Sequence, residues 1–265
     1  MRYGLSRLFT SSAGNLRPER RLNPINIRKS IVIGIIGGSG LQALDWLHIE
    51  KKEVIRTPFG IPSAPLIIGK LNGKAVAFLA RHGLQHTIPP HIINYRANIW
   101  ALHHIGCQEM MAFSSMCSIS PDIKVGEIII PDQLIDYTWD RKSTFFNSQI
   151  ETVHYTEFAE PYAHSTREKL ITIAQQTGCS YKDCATYGIT QGPRYETRAE
   201  VRRYQLDGCD LLGMTGMPEA ALALEVNVRY AVCGLVTNSY CNGAPVCREQ
   251  LANKQHGFKT ILQAI

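Results

Sequence analysis

The chain lacks a long apolar run, a CxxC pair, an internal repeat and, beyond its first 30 residues, any excess of charge. No stretch approaches the roughly 18 consecutive apolar residues of a membrane span. No apolar segment follows the early arginines in the manner of a secretory signal. Without a CxxC pair, the eight cysteines form neither a zinc-ribbon nor a thioredoxin motif. They read as reduced, mostly core thiols of an intracellular protein, expected in the cytoplasm. No cluster has metal-ligand spacing.

The net charge of +6 lies almost wholly at one end. Residues 1–30 hold seven basic side chains against Glu19 alone, which leaves 21 residues of each sign in the remainder. The body therefore has no basic footprint for nucleic acid. Residues 1–30 are read as a basic, disordered extension, because Pro18 and Pro24 interrupt any long amphipathic helix. Their Arg- and Ser-rich, acid-poor composition leaves organellar targeting as the alternative.

At 265 residues the chain can bury a full core without staples, and residues 31–265 read as one α/β domain. Ile31–Gly37 is a short, β-branched apolar run stopped by glycine, which suits a central strand. Leu66–Gly69 and Ala75–Ala80 flank Asn72-Gly73, a hairpin signal. Met110–Ser115, Glu127–Ile135, Ala185–Thr190, Asp210–Gly213 and Tyr230–Thr237 read as further strands. Tyr95–Ile105, Thr166–Gln176, Arg198–Leu206, Pro218–Val226 and Glu249–Ile265 have helical spacing. The interleaving predicts a three-layer domain: a central mixed sheet flanked by helices.

Five segments carry candidate chemistry, and each has a plain structural alternative. Gly37-Gly38-Ser39-Gly40 follows the first strand, where glycines let backbone N–H groups approach an anion; the alternative is a tight turn with no ligand. Gly38-x-Gly40-x-x-Ala43 also fits a dinucleotide fingerprint, but the chain then enters Thr57-Pro58-Phe59-Gly60 instead of reaching the acidic residue that fingerprint needs. Arg81-His82-Gly83 ends a strand with a guanidinium fork suited to phosphate, unless these are a surface arginine and a satisfied core histidine. In Gln191-Gly192-Pro193-Arg194-Tyr195-Glu196, Tyr195 can stack on a flat ring and Glu196 can accept from ring N–H groups; the alternative for Glu196 is a favourable carboxylate at a helix N-terminus. Thr215, after Gly213-Met214, can donate to phosphate or simply cap a helix. Asn238, placed just beyond a strand, can recognise a base edge or sit in a turn.

Together, IGIIGGSGL, TPFGIPSAPL, LARHGLQHTIPPHIINYRANIWAL, QGPRYETRAE and GMTGMPEAALALE resemble the trimeric purine nucleoside phosphorylases and their methylthioadenosine phosphorylase branch, from about Ile31 to about Asn238. GMTGMPEAALALE with a downstream Asn is most like the methylthioinosine phosphorylases. The resemblance implies a partly barrel-like mixed sheet, a homotrimer with sites near subunit interfaces, and inorganic phosphate as co-substrate with no cofactor or metal. It places Ser39, Arg81, His82 and Thr215 on phosphate-binding positions and Ser114 and Ser115 on the phosphate- and sugar-contacting segment. Met214 falls on the ribose contact, Tyr195 and Glu196 on the base-stacking and base-reading positions, and Asn238, followed by Ser239 and Tyr240, on the base-specificity segment. Adenine-specific members carry an aspartate where this chain has Asn238. The Glu196/Asn238 pair therefore implies a 6-oxopurine nucleoside, either S-methyl-5′-thioinosine or inosine and guanosine, with Glu196 and Asn238 stabilising the departing base. Leu251 is the candidate contact for a 5′-methylthio group, and His154 for the sugar. Cys117 stands where relatives carry glycine. That departure leaves a non-catalytic nucleoside-binding protein as one alternative, and an S-methyl-5′-thioadenosine phosphorylase is the other.

Overall fold

The computed structural model describes residues 32–38, 41, 44–146, 155–241 and 256–265. Residues 1–30, Ser39, His154 and Leu251 lie outside these. Among the described residues, eleven strands form one sheet. In chain order they are β1 (Val32–Gly37), β2 (His48–Glu53), β3 (Leu66–Leu71), β4 (Lys74–Ala80), β5 (Cys107–Ser118), β6 (Ile128–Ile129), β7 (Gln133–Asp136), β8 (Tyr181–Lys182), β9 (Thr186–Ile189), β10 (Leu211–Gly213) and β11 (Arg229–Ser239). The helices are α1 (Tyr95–His104), α2 (His164–Thr177), α3 (Arg198–Leu206), α4 (Glu219–Glu225) and α5 (His256–Gln263). None is long and apolar enough to cross a membrane.

The expected mixed sheet flanked by helices is observed. β1 is apolar and buried because it lies between two parallel neighbours, β4 and β5. Asn72 and Gly73 both take positive φ, 50° and 78°, as a two-residue hairpin turn requires. The hairpin joins β3 to β4 in antiparallel register. β5 is the axis of the sheet. One edge pairs first with β1 and then, at Cys117 and Ser118, with antiparallel β10. The other edge runs parallel to β11. On that side the sheet continues from β11 to β6 and from β6 to β8.

Some boundaries differ from those expected. Glu127–Ile135 is not one strand: it splits into β6 and β7 around Pro131, which cannot donate to a ladder. β2 has an almost wholly exposed, charged sequence and no apolar alternation to reveal it. Asn238 lies inside β11 rather than beyond it. Of the expected closing helix, the described part is α5, which buries Phe258, Ile261 and Leu262.

Candidate active site

Parallel β1, β4, β5 and β11 end on the same side of the sheet, where ligands of open α/β sheets bind. A cavity of about 260 Å³ opens there. One of its ends is built around Arg81, the first residue after β4. This side chain is fully buried, with none of its surface exposed. Its Nε donates to Glu219 Oε1 at 2.7 Å and its Nη2 to Glu219 Oε2 at 2.9 Å. Nη1 reaches the Phe113 carbonyl at 2.8 Å and Ser114 Oγ at 3.2 Å. Burial works against the guanidinium charge, but the Glu219 carboxylate outweighs it and holds the group above its ordinary range. Tyr230 donates to the same carboxylate at 2.7 Å. Arg81 is thus not a free fork. Glu219 takes its Nε–Nη2 edge, Nη1 holds the Phe113 carbonyl and Ser114, and the guanidinium borders the cavity beneath Ser114.

Ser114 Oγ lies 3.1 Å from Thr215 Oγ1, so Arg81, Ser114 and Thr215 form one polar chain across the cavity floor. Thr215 is not an N-cap: Pro218 occupies the cap position of α4, and the threonine hydroxyl faces β5 instead. Gly38 lines the same floor. A Cβ there would stand 2.8 Å from the Phe113 carbonyl and 3.1 Å from Arg81 Nη1. Gly38→Ala is therefore expected to push the guanidinium out of place. It should cost about 1–3 kcal/mol of stability and raise the phosphate KM, as urea unfolding and phosphate titration would show.

His82 borders the cavity with its ring 4.5 Å from that of His86, centroid to centroid. Its Nδ1 lies 2.8 Å from the Ile88 carbonyl. A carbonyl only accepts, so Nδ1 carries the hydrogen and Nε2 presents a lone pair. Burial, followed by the neighbouring Arg81 charge, lowers the imidazole to about 4. At neutral pH it is an uncharged acceptor, fit for a protonated phosphate oxygen or a sugar hydroxyl. Because the folded value is depressed, the unfolded chain takes up the proton first. Its contribution to stability is complete above pH 6.5 and is lost as the pH falls toward 4. The expected loss is up to about 3 kcal/mol, visible as a Tm that drops across this window in the native chain and drops less in His82→Gln.

The other end of the cavity holds Glu196 and Asn238. Glu196 sits outside α3, whose first turn is closed by a capping box between Thr197 and Glu200. Its carboxylate is therefore free of capping duty. Instead, Thr190 Oγ1 donates to Oε1 at 2.7 Å and the Tyr240 hydroxyl to Oε2 at 2.9 Å. Asn238 is aimed by a bulge in β11: Val236 pairs with Met116 and Asn238 with Cys117, leaving Thr237 as the extra residue. The bulge resets side-chain alternation and brings Asn238 beside Cys117 on the cavity wall. Among the described residues its Oδ1 is buried without a hydrogen-bond partner, a costly state for a side chain with nothing to bind.

Ser115, Met214 and Tyr195 complete the wall, with Tyr195 65% exposed at its rim. Cys117 lies in the wall as a half-buried thiol. Burial, aided by the Glu196 charge, pushes it up to about 12, so it contributes bulk rather than a nucleophile.

Two expected contacts are corrected. Ser239 does not face the cavity. It follows Asn238 by one residue, so alternation turns it to the other side, where its Oγ accepts from the Cys241 N–H at 3.2 Å. Tyr240 is not a wall residue either; it touches Glu196. Ser39 and Leu251 lie outside the described residues.

Three residues were not foreseen. Glu219 had one signal, an acid opening a helix whose next five residues are all apolar, since a buried carboxylate needs a cation. Thr190 gave none. Arg141 gave none either, yet it ties the walls together. Its Nη1 donates to the Met217 carbonyl at 2.6 Å, and its Nη2 to those of Gln191 at 2.9 Å and Met214 at 3.0 Å.

Similarity to known proteins agrees with this geometry. Residues 32–262 match the phosphorylase superfamily. The chain is 45% identical over 207 residues to the probable S-methyl-5′-thioinosine phosphorylase of Pseudomonas syringae pv. tomato, spanning 78% of this chain and 84% of that protein. It is 43% identical over 212 residues to the 6-oxopurine nucleoside phosphorylase of Pyrococcus furiosus, spanning 78% of each. The methylthioadenosine phosphorylase of Schistosoma mansoni, solved with adenine, superposes with a TM-score of 0.82 at 31% identity, over 88% of this chain and 90% of that one. The resemblance carried by the sequence motifs is borne out, and the chain belongs to the phosphorylase superfamily.

Proposed function

We propose that this protein is a purine nucleoside phosphorylase that cleaves a 6-oxopurine nucleoside, S-methyl-5′-thioinosine or inosine and guanosine, to free base and the corresponding pentose 1-phosphate. The observation that carries this is a single cavity with a carboxylate and an amide whose oxygen has no partner among the described residues at one end, and the Arg81–Ser114–Thr215 chain at the other.

Inorganic phosphate, the co-substrate, would lie against Ser114, Ser115, Thr215 and the neutral His82, with Ser39 a further phosphate contact by the family resemblance. The purine would lie beside Tyr195, its N1–H on Glu196 and its O6 and N7 edge on Asn238. As the glycosidic bond stretches, the sugar gains oxocarbenium character and the base gains negative charge. Asn238 then stabilises that charge where it develops, and phosphate adds to the anomeric carbon. Met214 gives the sugar a soft apolar contact. No cofactor is called for, since phosphate itself is the nucleophile.

The test is release of free base from S-methyl-5′-thioinosine, inosine and S-methyl-5′-thioadenosine, each with and without phosphate. Phosphate-dependent release, fastest from a 6-oxopurine, is expected. Equal efficiency on the 6-amino substrate would overturn the base preference, and binding without release would make the protein a nucleoside carrier. We further place the enzyme in the cytoplasm as a homotrimer. Ile61, Ile92 and Trp139 are large, apolar and exposed, the kind of surface that subunit contacts cover. Light scattering would show three chains per particle.

A further inference from the structure

Glu196 is gripped by two hydroxyls that arrive from different strands. Thr190 is the residue after β9. Its own N–H donates to the Gly213 carbonyl at 2.7 Å, which fixes its backbone. Its hydroxyl reaches Glu196 Oε1 at 2.7 Å, closer than its second acceptor, the Gly213 carbonyl, at 3.3 Å. Tyr240 is the residue after β11. Its N–H donates to the Ser118 carbonyl at 2.9 Å, and its hydroxyl reaches Glu196 Oε2 at 2.9 Å. Burial, with the Glu196 charge beside it, pushes the Tyr240 phenol above its ordinary range, so it remains a donor.

A carboxylate that accepts a hydrogen bond on each oxygen has no hydrogen to offer in return. Its remaining lone pairs, facing the cavity, can be met only by a donor. The two kinds of purine differ at this point. A 6-oxopurine carries hydrogen on N1, whereas a 6-aminopurine presents a bare lone pair there. Set against an acceptor-only carboxylate, the first makes a charge-assisted hydrogen bond and the second meets repulsion. Sites built to hydrogen-bond one group reject its absence far more strongly than apolar pockets do.

We propose that Thr190 and Tyr240 are positioning residues that clamp Glu196 as an acceptor on both oxygens and thereby select a purine with hydrogen on N1, an inference that rests on the purine reading above. Neither residue touches the base; both act through Glu196. Losing one hydroxyl frees one carboxylate oxygen to turn away from N1, which relieves the repulsion that a 6-amino base meets there.

The experiment uses the full chain and four variants: Tyr240→Phe, Thr190→Val, the two combined, and Thr190→Ser. For each, kcat/KM is measured with saturating phosphate on S-methyl-5′-thioinosine and S-methyl-5′-thioadenosine, with inosine and adenosine alongside, and the phosphate KM is measured in parallel. Each hydroxyl removed should lower the 6-oxo to 6-amino ratio by about tenfold, the scale of one hydrogen bond to a charged group. The phosphate KM should stay put, and Thr190→Ser, which keeps the hydroxyl, should restore the native ratio. If both rates fall together and the ratio holds in the three hydroxyl-less variants, the clamp is overturned while purine phosphorolysis by the native chain stands. If the native chain releases no base from any of the four, the purine reading fails and the clamp falls with it.

Discussion

Asn238→Ala is expected to lower kcat by about 10²–10³-fold, the effect of removing one donor aimed at developing negative charge, while leaving the fold no less stable. The first half rests on the amide N–H2 as a donor, and the second on the state of the amide oxygen. Asn238 Oδ1 is buried and, among the described residues, no group bonds it. An unsatisfied buried polar atom costs stability, so trimming it to alanine removes that cost along with some packing. Most buried substitutions destabilise. One that leaves Tm level while turnover collapses marks a group kept for a ligand. Single-turnover measurements should show base release slowed, with the phosphate KM unchanged because the oxyanion end of the cavity is intact. A drop in Tm of several degrees with turnover retained would make Asn238 a structural residue and remove it from the mechanism.

How much of this was legible in the sequence depended on the physical signal. Arg81 stood out because it ends an apolar strand, and Met214 and Thr215 because they lie between a strand and a helix start; Ser114 and Ser115 came only from the family resemblance. Asn238 was found as a residue type, but its position inside β11 was not. A bulge is set by pairing with β5, and one strand read alone carries no trace of its partner's register. Glu196 was found, but its role stayed divided between base contact and helix carboxylate. The capping box that Thr197 and Glu200 form frees the Glu196 carboxylate from capping, and TxxE was there to be read in the sequence. β2 was missed because its exposed residues, HIEKKE, show no periodicity; pairing with β3 makes it a strand. Arg141 sits 50 residues from Gln191 in the chain, and nothing local in the sequence points to such a contact.

Glu219 offers the largest stability effect. Breaking a fully buried ion pair by removing one partner costs about 3–5 kcal/mol, because the survivor is left charged and dry. Glu219→Gln keeps the shape and removes the charge, so Arg81 should become such a survivor, and urea unfolding should show the loss. Two further outcomes separate a structural pair from a cradle. Arg81→Met, Glu219→Leu and Tyr230→Phe together remove both charges and the tyrosine hydroxyl that donates to Glu219. A buried pair replaced by well-packed apolar groups often returns to neutral or better, so the triple variant should recover most of the stability yet fail to cleave with phosphate. The second outcome concerns Glu219→Gln itself. With the internal counter-ion gone, bound phosphate becomes the nearest anion to Arg81. By mass action a ligand of the folded state stabilises it in proportion to its affinity. Added phosphate should therefore raise the Tm of Glu219→Gln more than that of the native chain, and sodium chloride at matched ionic strength should not. Equal shifts in both proteins would mean that phosphate binds without meeting the Arg81 charge, leaving Arg81 as a strut beneath Ser114 and the oxyanion to be held by hydroxyls alone.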